Sequence, residues 1–292
     1  MDAAEPLFQP RHQNRRRRRT FRQSWEGGMT ISDLFVRTAA GLLAARVDDL
    51  AWLAVPVDSG IRIASAWRLI EPLSQWTPAD FHGAEGVVAD EAGFRAHVQA
   101  IAEHRRQLPA LARETGDLGI ETPWGRPDHA VRYAEGIICY STPSHGGFHV
   151  DAERSAVMPA ALRNADGWYE EDCEWAKVAI AFPDLFTDYE REHAERTLRD
   201  WNPDAWEAVN GRKLDLCESF MRDRQHFEAV HAHDWVVISA SRSDDHPGQI
   251  ECPATLGGKR GNVPVRNFLV PRDEYSIGRH GFVIDEQRHS QI

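Results

Sequence analysis

The sequence predicts an α+β protein: small antiparallel sheets with packed helices, followed by a C-terminal strand-rich unit. Three observations carry that expectation. The 292 residues are 42% hydrophobic and 27% charged, which is a globular balance able to bury a sizeable core in two or three units. In the middle of the chain, three runs with strand character precede three with helical character, the order of a segregated α+β unit rather than of alternating βαβ repeats. Near the C-terminus, four short apolar runs at 235–240, 250–255, 267–270 and 282–285 are separated by glycine and proline turns, as in a small antiparallel sheet or barrel.

Taken in order, Leu34, Phe35, Leu42 and Leu43 suggest a helix over 31–47. Residues 53–57 and 61–67 read as a hairpin turned at Asp58, Ser59 and Gly60. Thr77 before Pro78 has the form of an N-cap with proline at the first helical position. Asp90 opens a helix that turns Phe94, Val98 and Ile101 inward and ends near Pro109. Past a linker at 114–119, residues 130–133 and 137–141 flank Glu135 and Gly136 as a second hairpin, and 147–150 adds a third strand. Asp151 caps a helix ending near Arg163. After a turn at 164–167, a longer helix is expected over 168–182, and Thr187 with Glu190 forms a capping box for the next. A further helix spans 214–231. The expected organisation is a basic disordered tail at 1–28, an N-terminal α+β unit at 29–113, a central α+β domain at 120–212, and a helix with a β-rich unit at 213–292.

Charge narrows the partners. The net charge is −11, yet residues 1–28 hold seven arginines against three acids, leaving −15 on the remainder. An acidic body repels phosphate backbones, so nucleic acid is not an expected partner except through the tail of Arg15 to Arg19. That run has the arginines of a twin-arginine export signal without the apolar stretch that must follow. Met29 stands downstream as an alternative start. No run approaches the ~18 apolar residues of a membrane helix, so no membrane partner is expected. Cys139, Cys173, Cys217 and Cys252 form no CxxC pair, which argues against a zinc ribbon or dithiol motif and fits a reduced, cytoplasmic chain.

One polar cluster stands out. In Ser144, His145, Gly146, Gly147, Phe148, His149 two histidines lie four apart, but an extended chain would separate them by about 13 Å, too far to share an ion. No metal and no cofactor is therefore expected. His145 is the candidate acid or base, and the bare backbone of Gly146 and Gly147 would let a substrate or partner come close. In the helix expected from Trp168, Tyr169 and Cys173 lie on the apolar arc, Glu170 lies opposite, Glu171 sits at the edge and Asp172 falls within the arc. A carboxylate aimed at a core needs a partner, for which Arg154, His145 or a loop backbone are the candidates, as a structural tie or as a working site in which Glu171 or Asp172 stands beside His145. Arg154, Trp168 and Tyr169 are expected to line the same pocket. No GxSxG, HExxH, GxGxxG or P-loop order is present.

The strings Thr122-Pro123-Trp124-Gly125, Ser144-His145-Gly146-Gly147 and Gly167-Trp168-Tyr169-Glu170-Glu171-Asp172-Cys173-Glu174-Trp175 resemble a domain-of-unknown-function family, numbered 7007. The likeness is close over 120–210. It implies a bacterial cytoplasmic protein carried by plasmids, integrative elements and phages of proteobacteria, and it supplies no reaction. Two functions are expected from the whole. One is binding of a protein partner, in establishment of the element or evasion of host defence. The other is a hydrolase or transferase that uses His145 with Glu171 and Asp172.

Overall fold

The computed structural model describes residues 34–292. The tail at 1–28 and the Met29 start lie outside them. The protein is α+β: the described residues form six α-helices and three small antiparallel sheets and separate into two compact units, one including residues 34–158 and 162–195, the other Pro159–Ala161 and Arg196–Ile292.

The first unit opens with a five-stranded antiparallel meander of β1 (Phe35–Arg37), β2 (Leu43–Val47), β3 (Leu50–Val57), β4 (Gly60–Trp67) and β5 (Gly83–Val88). The β3–β4 hairpin is the one expected, with Val57 opposite Gly60. The helix expected over 31–47 is instead the β1–β2 hairpin, which turns through Gly41 at a φ of 79°. The reason lies in burial on both faces. Leu43, Ala45 and Val47 enter one core and Ala44 the other, so β2 reads as a continuous apolar run whose period cannot separate strand from helix.

Helix α1 (Glu91–Gln107) covers one face of this sheet. Asp90 caps it, its side chain accepting from the Gly93 N–H at 2.9 Å. Phe94, Val98 and Ile101 are buried against Leu43, Val47, Trp52 and Ile63, and each contributes about 1.5–3 kcal/mol by leaving water. At the sheet margin the Glu85 carboxylate accepts from Trp52 Nε1 at 3.1 Å and meets His97 Nε2 at 2.7 Å. On the opposite face the small side chains of Ala44, Ala51 and Ala64 leave room for the rings of Trp76 and Phe81, packed edge to face at 5.6 Å.

The second sheet of this unit runs in the order β10-β9-β8-β7-β6, made of β6 (Glu114–Thr115), β7 (His129–Ala134), β8 (Ile137–Ser141), β9 (Gly146–Val150) and β10 (Trp168–Glu170). Strand β10 replaces the first part of the helix expected over 168–182. Gly167, at a φ of 74°, and the Asp166 carboxylate, accepting from the Trp168 N–H, turn the chain back so that Trp168, Tyr169 and Glu170 pair with His149, Phe148 and Gly147. The helix begins only at α3 (Trp175–Ala181), which lies against β9 and β10. Helix α2 (Ala152–Val157) is capped by Asp151 as expected but ends short of Pro159.

Alternation gives this sheet two faces. Cys139, Phe148 and Tyr169 face the core, where Phe148 meets Tyr133 at 4.9 Å and Phe186 at 5.8 Å. Tyr140, Gly147, His149, Trp168 and Glu170 lie on the other face. Thr187 and Glu190 form the expected capping box of α4 (Asp188–Trp201). Glu190, 6% exposed, also takes two hydrogen bonds from Arg113, whose guanidinium lies 3.9 Å over the Tyr133 ring.

In the second unit, α5 (Pro203–Asn210) ends at Gly211 in the left-handed conformation, and α6 (Phe220–Val230) is capped by Ser219. Its sheet comprises β11 (Trp235–Val237), β12 (Ser241–Arg242), β13 (Gln249–Leu256), β14 (Arg266–Pro271) and β15 (Ser290–Gln291) around a core of Trp235, Ile250, Cys252, Phe268 and Val270. The C-terminal strand-rich sheet is thus present, although the run at 282–285 contributes only a bridge between Val283 and Val236. Among the described residues no helix is long and apolar enough to cross a membrane.

Candidate functional site

The turn between β8 and β9 is tied by Thr142. Its hydroxyl donates to the His145 carbonyl at 2.7 Å and accepts from the His145 N–H at 3.1 Å, while its own N–H reaches the same carbonyl. The turn presents His145 at the end of the hairpin with its side chain 52% exposed. Pairing of β10 with β9 sets Glu170 opposite Gly147, and the Glu171 N–H continues the ladder to the Gly146 carbonyl at 3.0 Å. Both carboxylates thereby arrive at the hairpin end that carries His145.

The three side chains converge. His145 Nδ1 lies 3.6 Å from Glu170 Oε1 and 3.9 Å from Glu171 Oε1, and one donor atom from each residue falls within 4.8 Å of the others. Glu170 Oε2 accepts from the Asp172 N–H at 2.7 Å, but Oε1 is buried with no hydrogen-bond partner. Burial pushes the Glu170 carboxyl above its ordinary range; the Asp172 charge adds to this, while the backbone N–H groups of Asp172 and Cys173 and the nearby His145 oppose it. Glu171 is also pushed up, by burial first and then by the charge of Glu170 beside it.

The glycines have a local use. A Cβ on Gly146 would stand 2.6 Å from Glu171 Oε2, and one on Gly147 would stand 2.2 Å from the Tyr169 carbonyl and 2.4 Å from the Trp124 ring. The space over both is filled by this chain's own groups. Trp124 in turn meets Trp168 edge to face at 5.6 Å, and His149 lies 4.6 Å from the same ring.

The remaining candidates from the sequence lie elsewhere. Asp172 is exposed, because the segment turns after Glu170 instead of continuing as a helix that would aim it inward. Arg154 donates from Nε to the Glu135 carbonyl at the β7–β8 turn, the opposite end of β9 from His145, about 13 Å of strand away. Tyr169 is fully buried on the core face, its hydroxyl accepting from the Asn164 N–H. Glu170 was missed as a companion of His145. The signal for it is the alternation of Trp168, Tyr169 and Glu170 directly after the glycine turn, a strand pattern overridden by the helical projection.

A cleft of about 420 Å³ opens away from this cluster, lined by His149, Asp151, Ser155, Arg163, Asn164 and Asp166 among others. Its charged groups are already engaged: Asp151 caps α2, Asp166 caps the start of β10, and Arg163 donates to the Met158 and Ala156 carbonyls. Among the described residues, His145, Glu170 and Glu171 form the one group of three or more such side chains whose donor atoms are close enough to share an ion.

Fold and site together define an α+β protein with a histidine and two carboxylates gathered at the mouth of an antiparallel sheet. Residues 117–232 match a family described as a domain of unknown function (DUF7007), and the matched stretch contains all three side chains. No curated protein and no solved structure matches the chain.

Proposed function

We propose that the protein is a hydrolase or transferase whose reaction takes place at His145, Glu170 and Glu171. The observation that carries this reading is the convergence itself, with a half-exposed imidazole in front of two carboxylates that are only 25% and 16% exposed. A patch that merely binds a partner has no need to hold like charges together out of water, which is costly. Convergence of this kind is ordinary at catalytic sites. His145 turns Nδ1 to the carboxylates, leaving its Nε2 edge for a reacting group, while Gly146, Gly147 and Trp168 keep β10 and Trp124 in place.

The resemblance supplies the setting for this reading: the cytoplasm of bacteria that carry plasmids, integrative elements or phages. The charge of −15 outside residues 1–28 favours a protein or a small molecule over nucleic acid as the substrate. Binding of a protein partner is the second reading, and the same acidic body supports it.

The test is turnover by the purified full chain on reporter phosphomonoesters, phosphodiesters, carboxylic esters, peptides and glycosides. His145→Ala and Glu171→Gln should each lower activity at least 100-fold at nearly unchanged melting temperature, while Asp172→Asn should retain it. Failure of the wild type to exceed His145→Ala on every class refutes the catalytic reading.

A further inference from the structure

We infer that His145 Nδ1, Glu170 Oε1 and Glu171 Oε1 form a binding site for one divalent cation. The inference deepens the reading above, because it names what the same three side chains hold. Donor atoms bound to a cation at about 2.0–2.2 Å stand roughly 3–3.5 Å apart around it. The separations of 3.6 and 3.9 Å from His145, with all three donors within 4.8 Å of one another, need closure of up to about an ångström, shared between a half-exposed imidazole on a turn and the two carboxylate rotamers.

A second observation points the same way independently of the spacing. Glu170 Oε1 is shut off from solvent, has no hydrogen-bond donor and faces the imidazole nitrogen. A buried carboxylate oxygen without a partner is uncommon, because the desolvation it suffers is not returned. No arginine or lysine among the described residues forms an ion pair with Glu170 or Glu171; the basic side chain within 4 Å of them is the His145 imidazole. A cation between the three would satisfy the orphaned oxygen and neutralise the crowded carboxylates in one step.

The donor set identifies the kind of ion. One imidazole with two carboxylates suits zinc, manganese or iron(II), whereas calcium takes 6–8 oxygens and magnesium keeps most of its water. Three protein donors leave coordination positions open for water and substrate. A cation held in this way polarises a substrate oxygen or generates hydroxide from bound water. Gly146 acts as a positioning residue, since its bare Cα leaves Glu171 the space its carboxylate occupies.

The experiment uses the untagged full chain, stripped with chelator and dialysed, then titrated with Zn²⁺ and Mn²⁺ and with Mg²⁺ and Ca²⁺ for comparison. Calorimetry follows binding and thermal melting follows stabilisation. One site per chain is expected for Zn²⁺ or Mn²⁺, weakened at least tenfold in His145→Ala and in Glu170→Gln and unchanged in Asp172→Asn and His149→Ala. Absence of saturable binding up to millimolar Zn²⁺ or Mn²⁺, or equal binding by wild type, His145→Ala, Glu170→Gln and Glu171→Gln, overturns the inference. Full turnover by the stripped protein in chelator overturns the inference and leaves the catalytic reading standing. Binding without turnover on any substrate class supports the cation site and refutes that reading.

Discussion

Replacing Gly147 by alanine adds one methyl group where the protein has no room for it. The new carbon would lie 2.2 Å from the Tyr169 carbonyl oxygen and 2.4 Å from the Trp124 ring, against ordinary contacts of 3.4–4 Å, so β10 or Trp124 must retreat by about an ångström. Gly147 has no positive φ, so the backbone accepts alanine and the cost is steric alone. Overpacking of this kind costs about 1–3 kcal/mol, and alanine recovers about 0.5–1 kcal/mol of backbone entropy in a strand. The net destabilisation is about 0–2.5 kcal/mol, centred near 1 kcal/mol, and each kcal/mol is a fall of roughly 2–4 °C in the melting temperature of a unit this size. Thermal melting by circular dichroism measures it. The contact is with the strand that carries Glu170, so Gly147→Ala should also disturb the cluster, whereas Phe148, next in sequence, points to the opposite face. A melting temperature equal to or above wild type would refute the close packing of Trp124 and β10 on Gly147.

Two further outcomes follow from charged groups outside the cluster. Glu190→Ala should destabilise the first unit by about 3–5 kcal/mol, because it strands the guanidinium of Arg113, only 14% exposed, and also removes a capping box; urea unfolding reads the change. Glu85→Gln should lower stability by about 1 kcal/mol at pH 7, where wild-type Glu85 is the charged acceptor of two hydrogen bonds. Burial opposes ionisation of Glu85, yet the bonds from His97 and Trp52 hold its carboxyl below the ordinary value. The stabilisation is therefore present above the unfolded carboxylate pKa of about 4.3 and is lost as pH falls through the lower folded value. Melting curves of the two proteins should converge in acid, and a constant gap down to pH 2 would contradict the assignment.

Local chemistry was legible in the chain wherever one element decides its own form. Asp90 with Phe94, Val98 and Ile101 specifies the cap and buried face of α1, and Thr187 with Glu190 specifies the start of α4, because each signal acts within a turn or two of helix. Gly60 and Gly136 mark hairpins for the same reason, each adopting a positive φ at the turn. His145 was legible as a candidate from residue type and its glycine context. Strands buried on both faces were not legible: Leu43, Ala44 and Ala45 carry no period that separates strand from helix, and only the two cores on either side of β2 decide it.

The sequence by itself determined the α+β class, the caps of α1, α2 and α4, the hairpins at Gly60 and Gly136 and the neighbourhood of the site, since these follow from side-chain chemistry over a few residues. Tertiary structure alone decided which carboxylates meet His145. Residues 25 and 26 positions apart in the chain are brought together by the register of β10 on β9, which sets Glu170 opposite Gly147 and Glu171 beside Gly146 while Asp172 turns outward. A shift of one residue would exchange the faces of the strand and send Glu170 to the core. That register rests on the burial of Tyr169 and on Trp124 seated over a glycine, contacts that no local pattern encodes.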